Sequence, residues 1–179
     1  MGVEIERRFL VDGRNEKPWR GGESISIFQS YLDNIKHIDG KIFWNEHLLV
    51  EEERELVNLP TWRIRLSEGI ATLTAKGRRI NASAAEYEWD LPLELYNSLP
   101  LSSQPSISKI RHHWIGNDGL LWEVDEFEGM LGGLIIAEVE LENIEQEVEL
   151  PPWLGLEITH LKGWSNSSLS RMIKDSKLN

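Results

Sequence analysis

The stretch Glu4-Ile5-Glu6-Arg7-Arg8-Phe9-Leu10-Val11 sets Glu4, Glu6 and Arg8 at strict alternation. Alternate side chains of an extended strand share a face, so two carboxylates and a guanidinium point one way. Ile5, Phe9 and Val11 point the other, with Arg7 the one charge among them. The pattern returns along the chain with its charge sign sorted by segment. Arg63 and Arg65 flank Ile64, Thr74 and Lys76 flank Ala75, and Glu86 and Glu88 flank Tyr87. Lys109 and Arg111 flank Ile110, Glu123 and Asp125 flank Val124, and Glu138, Glu140 and Glu142 alternate with Val139 and Leu141. Turn formers such as Asn117-Asp118-Gly119 and Gly132-Gly133 bound these segments, which predicts a mostly antiparallel sheet with one apolar and one charged face. If such a sheet curls and closes, the charged face becomes a lining.

A solvated sheet face explains any single Glu-x-Glu. It usually mixes signs within a strand, because like charges crowded on one face destabilise it unless opposite charge sits between them. Here most segments are all acidic or all basic. Acidic pairs facing basic pairs across a narrow space suit a polyanion held on cations, with divalent ions bridging it to the carboxylates.

The 179 residues fit one domain over 1–179, and 40% hydrophobic content with eight tryptophans supplies a core. The absence of cysteine removes disulfides and thiolate chemistry. No apolar run reaches membrane-spanning length, and the N-terminus starts on a charged strand, so the expectation is a cytoplasmic protein with no membrane partner. A formal net charge of -11 argues against nucleic acid as a partner. It leaves a small anion possible, because the basic residues cluster where the pattern needs them.

Strands are predicted at 3–11, 24–32, 62–68, 70–77, 84–91, 107–115, 120–128 and 134–143, with a short helix over 93–99. Ser165 or Asn166 reads as the N-cap of a C-terminal helix running through Lys177. Its Arg171, Lys174 and Lys177 suit the last turn of a helix, or one of them reaches the charged lining. Residues 33–61 read as an insertion with a hairpin turn at Asp39-Gly40, and the acidic run from Glu51 to Glu55 is assigned no chemistry. His112 and His113 are neighbours on a strand and point to opposite sides, so they do not readily share an ion. Trp62, Trp89, Trp114 and Trp122 are expected to pack opposite the charged set.

Taken together, Glu4-x-Glu6-x-Arg8, Gln29-Ser30-Tyr31-Leu32, Arg63-x-Arg65, Thr74-x-Lys76, Glu86-x-Glu88, Lys109-x-Arg111, Trp122-Glu123-Val124-Asp125 and Glu138-x-Glu140-x-Glu142 resemble, in order, the CYTH or triphosphate tunnel metalloenzyme family. The resemblance implies a β-dominated α+β fold: an eight-stranded antiparallel closed β-barrel, open as a tunnel, with peripheral helices. It implies metal-dependent hydrolysis of a phosphoanhydride in inorganic triphosphate or a small organic triphosphate, with Mg²⁺ or Mn²⁺. Carried over position by position, Glu4, Glu6, Glu138 and Glu140 correspond to ion ligands. Asp125 and Glu88 correspond to further ion- or water-positioning carboxylates, with Glu86 less firmly placed. Arg8, Arg63, Arg65, Lys76, Lys109 and Arg111 correspond to the phosphate grip. A class IV-type adenylyl cyclase shares the scaffold, a non-catalytic polyphosphate-binding module is the alternative outside enzymes, and a β-sandwich with solvated charges is the structural one. Monomer and homodimer are both compatible with the sequence.

The family motif usually reads Glu-x-Glu-x-Lys, and Arg8 stands where lysine is expected. Arginine stays protonated in proteins, so Arg8 binds phosphate but does not act as a base. The resemblance then leaves metal-bound hydroxide, assisted by a carboxylate or Tyr31, as the expected nucleophile. Arg8→Lys is therefore expected to preserve or raise the rate of orthophosphate release from tripolyphosphate; a collapse would show that guanidinium geometry is itself required.

Overall fold

The computed structural model describes residues 2–80 and 82–177. In chain order the strands are β1 (Gly2–Val11), β2 (Ser24–Leu32), β3 (Ile35–Ile38), β4 (Lys41–Trp44), β5 (His47–Glu51), β6 (Thr61–Ser67), β7 (Ile70–Lys76) and β8 (Ser83–Leu91). They continue as β9 (Ser106–Ile115), β10 (Leu121–Phe127), β11 (Ile135–Glu140) and β12 (Leu154–Glu157), with helices α1 (Leu93–Ser98) and α2 (Asn166–Ser176). The main sheet runs β11-β10-β9-β2-β6-β7-β8-β1, and β1 returns to pair with β11, so eight antiparallel strands close into a barrel. β1 makes the closure by dividing its length. Gly2 to Ile5 pair with β8, and Glu6 to Leu10 pair with β11.

Local chemistry explains the arginine hairpin. β6 and β7 are joined by Glu68-Gly69, both with positive φ (49° and 76°). That is the tight two-residue turn whose twist matches paired strands. It sets Arg63 opposite Thr74 and Arg65 opposite Thr72, which puts both arginines on one face.

The outward residues build two walls. Trp62, Ile64, Leu73 and Ala75 from the barrel pack with Leu91 and with Ile42, Trp44 and Leu49 of a separate three-stranded sheet, β3-β4-β5. The segment 33–61 thus folds as a meander on the outer wall, where its apolar side chains leave water. Its β3–β4 turn is Asp39-Gly40, again with positive φ at both residues (50° and 69°). Glu52, from the acidic run, is buried and takes Arg54 at 2.6 Å and the Trp89 indole at 2.7 Å. This residue is a tether for the meander, whereas the sequence reading gave the run no role. On the second wall Trp19, Trp122 and Val124 pack with Val139 and Trp153. Arg7, the odd charge on the apolar face, is met by Glu157 of β12 through two bonds of 2.9 Å.

β11 ends at Glu140, short of the expected 143, and Glu142 lies exposed beyond it. β12 was not foreseen. Inside the barrel Leu10, Ile107, Phe127 and Ile136 share the inward parity of the charged residues and form an apolar cluster with Ile158 and Leu169 of α2. Ser165 caps α2 by accepting the Ser168 amide at 3.1 Å. Arg171 pairs with Asp33 at 3.5 Å on the surface, so it does not enter the lining. No helix among the described residues is long and apolar enough to cross a membrane.

Ile42 is fully buried between meander and barrel. Ile42→Ala is expected to lower the urea unfolding free energy by about 2–5 kcal/mol. A loss below about 0.5 kcal/mol, the level of an ordinary surface substitution, would show that the meander is not docked as described.

Candidate active site

The barrel interior holds a cavity of about 410 Å³. Its lining combines Glu4, Glu6 and Arg8 of β1, Glu138 of β11, Arg63 and Arg65 of β6, Lys76 of β7 and Arg111 of β9. Tyr31, Glu123, Arg78, Arg79, Ala84 and the residues Ser165, Asn166 and Ser167 at the start of α2 also line it. Alternation delivers the strand residues, and closure of β1 on β11 turns them toward one another.

The carboxylates are held by neighbouring cations. Lys76 Nζ lies 2.6 Å from Glu4 and 3.4 Å from Glu86. Arg8 Nε donates to Glu138 at 3.0 Å and lies 3.9 Å from Glu6, while its Nη1 donates to the Trp164 carbonyl at 3.0 Å. Arg79 donates to Glu6. Arg111 forks onto Asp125 at 2.7 and 2.8 Å, approaches Glu138 at 3.4 Å and bonds Glu123.

The cations are not all satisfied. Arg8 Nη2, Arg63 Nε and Arg65 Nε are buried without a hydrogen-bond partner, and so is Asn166 Oδ1. Buried polar groups are normally paired, and an unmet charged donor costs the desolvation of that group. The arginines that carry these unmet donors line a polar cavity, which suits them to bind an anion. Burial together with Arg63 and Arg111 lowers Arg65 to about 10, so the arginines strain against one another.

The acidic side shows the converse. Burial, then the charges of Glu138 and Glu4, push Glu6 up to about 7. Burial would raise Glu4 and Glu138 as well, but Lys76 outweighs it for the first, and Arg8 and Arg111 outweigh it for the second. Burial raises Tyr31 to about 12, and its hydroxyl accepts from Gln29 Nε2 at 2.7 Å. Its own proton is left free to donate.

Not every expected residue reaches this cavity. Lys109 and Asp125 are paired with each other, both side chains 0% exposed, beneath Arg111. Glu88 and Glu140 are exposed, and with Glu86 they line a separate opening of about 320 Å³ that meets the main cavity at Glu4. Glu88 also accepts from Thr74 at 3.2 Å. His112 sits outside, 3.5 Å from Glu126, and His113 3.8 Å from Glu123. Three charged lining residues were missing from the expected set: Glu123, Arg78 and Arg79. Glu123 shares the parity of Asp125 and was readable. Arg78 and Arg79 come from a turn, where no periodicity marks them.

The CYTH domain family profile matches residues 60–173. The chain belongs to the CYTH domain family. It is 31% identical to an inorganic triphosphatase of Acetivibrio thermocellus, covering 94% of each chain. It is 33% identical to an inorganic triphosphatase of Nitrosomonas europaea over 60% of this chain and 71% of that protein. Its fold is similar to the crystal structure of the inorganic triphosphatase NE1496, with a TM-score of 0.60, 25% identity and 95% of both chains covered. Within this CYTH barrel, Arg8, Arg63, Arg65 and Lys76 share one cavity lining with Glu4, Glu6 and Glu138.

Glu6 is raised from 4.5 to about 7 in the folded protein. Its contribution to stability is therefore complete below pH 4.5 and is lost as pH rises through about 7. The urea midpoint of the metal-free protein is expected to fall over that window, and to fall less in Glu6→Gln. Equal slopes for the two proteins would show that Glu6 has no raised proton affinity.

Proposed function

We propose that this CYTH protein is a triphosphatase that cleaves a phosphoanhydride of inorganic triphosphate or a small organic triphosphate. The observation that carries the reading is the set of buried, unpartnered N–H groups on Arg8, Arg63 and Arg65, three arginines that line a cavity also lined by the carboxylates of Glu4, Glu6, Glu123 and Glu138. Guanidinium forks match phosphate oxygens in geometry and charge, and phosphoryl transfer depends mainly on positioning and charge neutralisation. The names of its relatives as inorganic triphosphatases support the same choice.

A divalent cation, Mg²⁺ or Mn²⁺, fits the donor set. Glu4, Glu6 and Glu138 offer hard oxygen ligands, and burial together with the charges of Glu138 and Glu4 raises the proton affinity of Glu6, a crowding of carboxylates that a dication would relieve. Among the described residues no three such side chains already converge at ligand spacing, because Lys76, Arg79 and Arg8 engage them. When bound, such an ion would supply Lewis-acid neutralisation of phosphate oxygens and acidify a coordinated water.

The protein's own residues do the rest. Arg63, Arg65 and Lys76 hold the polyphosphate along one wall, and Arg8 reaches it from the other with Nη2. Arg111 adds a further donor, aimed by Asp125, whose charge Lys109 balances from below; this makes both buried residues positioning groups. Tyr31 keeps its proton at neutral pH and donates it to a phosphate or water oxygen. The apolar cluster around Leu169 excludes water from one end of the barrel.

Purified protein incubated with tripolyphosphate and Mg²⁺ or Mn²⁺ is expected to release orthophosphate and pyrophosphate. With ATP under the same conditions, cyclic AMP as the main product would identify a cyclase instead. Glu4→Gln is expected to abolish turnover with little change in unfolding free energy; unchanged turnover would remove Glu4 from the site. Binding of tripolyphosphate without turnover under every condition would identify a binding module.

A further inference from the structure

The turn that follows β7 brings two cations to the lining that strand alternation does not supply, Arg78 and Arg79, and of these Arg79 reaches the carboxylates. Arg79 Nη2 donates to Glu6 Oε1 and lies 3.9 Å from Glu4 Oε2, and its side chain is 29% exposed. Lys76 holds Glu4 from the other side. The turn is tied at its ends, where Gly77 N bonds the Ala85 carbonyl and Ile80 N bonds that of Ser83, each at 2.8 Å. Among the described residues, no backbone hydrogen bond is donated by Arg78 or Arg79. Ala84, also on the lining, presents only a methyl group. The segment that carries the guanidinium is therefore held by backbone bonds at its two ends.

We propose that Arg79 is a resident counter-ion for Glu6 and Glu4 that a divalent cation displaces, and that the displaced guanidinium then grips the triphosphate. The inference rests on the ion and substrate assignment made above and adds an exchange step to it. A guanidinium and a dication do not share one carboxylate oxygen, since their mutual repulsion at contact distance is large in a partly buried site. Once released beside a polyanion, the same group finds phosphate oxygens as charge-assisted acceptors. Ion binding and triphosphate binding are then coupled through one side chain, and the coupling is reciprocal.

The exchange gives removal of Arg79 two effects of opposite sign. Binding of Mn²⁺ alone becomes tighter, because its competitor is gone. Binding of triphosphate to the Mn²⁺-loaded protein becomes weaker, because a donor is gone. A purely structural role would weaken both.

The test compares wild type, Arg79→Gln and Arg79→Lys, all checked for folding by circular dichroism. Free Mn²⁺ is followed by electron paramagnetic resonance. The non-hydrolysable imidotriphosphate is then titrated calorimetrically at saturating Mn²⁺. In Arg79→Gln the Mn²⁺ Kd is expected to fall about five-fold or more, and the imidotriphosphate Kd to rise by a similar factor. Arg79→Lys, which keeps the charge but loses the fork, is expected to fall between the two. Unchanged or weaker Mn²⁺ binding by a folded Arg79→Gln, with wild type binding normally, overturns the exchange alone. A wild type that binds no Mn²⁺ overturns the ion assignment and the exchange with it.

Discussion

The pairing of β1 with β11 is the constraint on which this molecule turns. Glu6 opposes Glu140, Arg8 opposes Glu138 and Leu10 opposes Ile136, and these contacts convert an open charged sheet into an enclosed one. On an open sheet the same side chains would be hydrated and individually worth little. Enclosed, they lose water, and each must find an opposite charge or a hydrogen bond. Much of the interior organisation follows from that demand. Arg111 forks onto Asp125, Lys109 seals beneath them, and Lys76 and Arg79 divide Glu4 and Glu6.

The demand is met incompletely, and the shortfall lies where the cavity lies. Three arginines keep buried donors without acceptors, while Glu6 holds its proton to an unusual pH. An excess of donors on one side and of negative charge on the other complements a polyanion carrying a cation. The deeper pair of Lys109 and Asp125 has no such shortfall, which suits a foundation for Arg111 better than direct contact with a ligand. The outer meander and the tryptophan wall supply apolar burial that offsets the cost of so many enclosed charges.

Much of this was legible in the sequence because strand alternation is a strict code. Inward parity identified Glu4, Arg8, Arg63, Arg65, Lys76, Arg111 and Glu138 without any coordinates, and the bounds of β2 matched to the residue. Two kinds of information were not encoded that way. Parity says which way a side chain points but not how deep it sits, so Lys109 and Asp125 looked equivalent to Arg111 and Glu123, which line the cavity; their depth depends on the register of β9 against β10. Turns have no period, so Arg79 carried no signal. The meander escaped because β3 and β4 are each only four residues long, too short for a pattern to declare itself. Glu52 was hidden for a related reason, since its partners Arg54 and Trp89 come from a turn and a distant strand.

The account stands or falls on where a triphosphate and its cation lodge. A crystal grown with Mn²⁺ and a non-hydrolysable triphosphate, with data collected to reveal manganese anomalous scattering, reads this directly. Manganese beside Glu4, Glu6 and Glu138, with phosphates against Arg63 and Arg65 inside the barrel, is the outcome expected here. Ordered phosphate and manganese found only on the outer surface, with the interior side chains still paired among themselves, would contradict it.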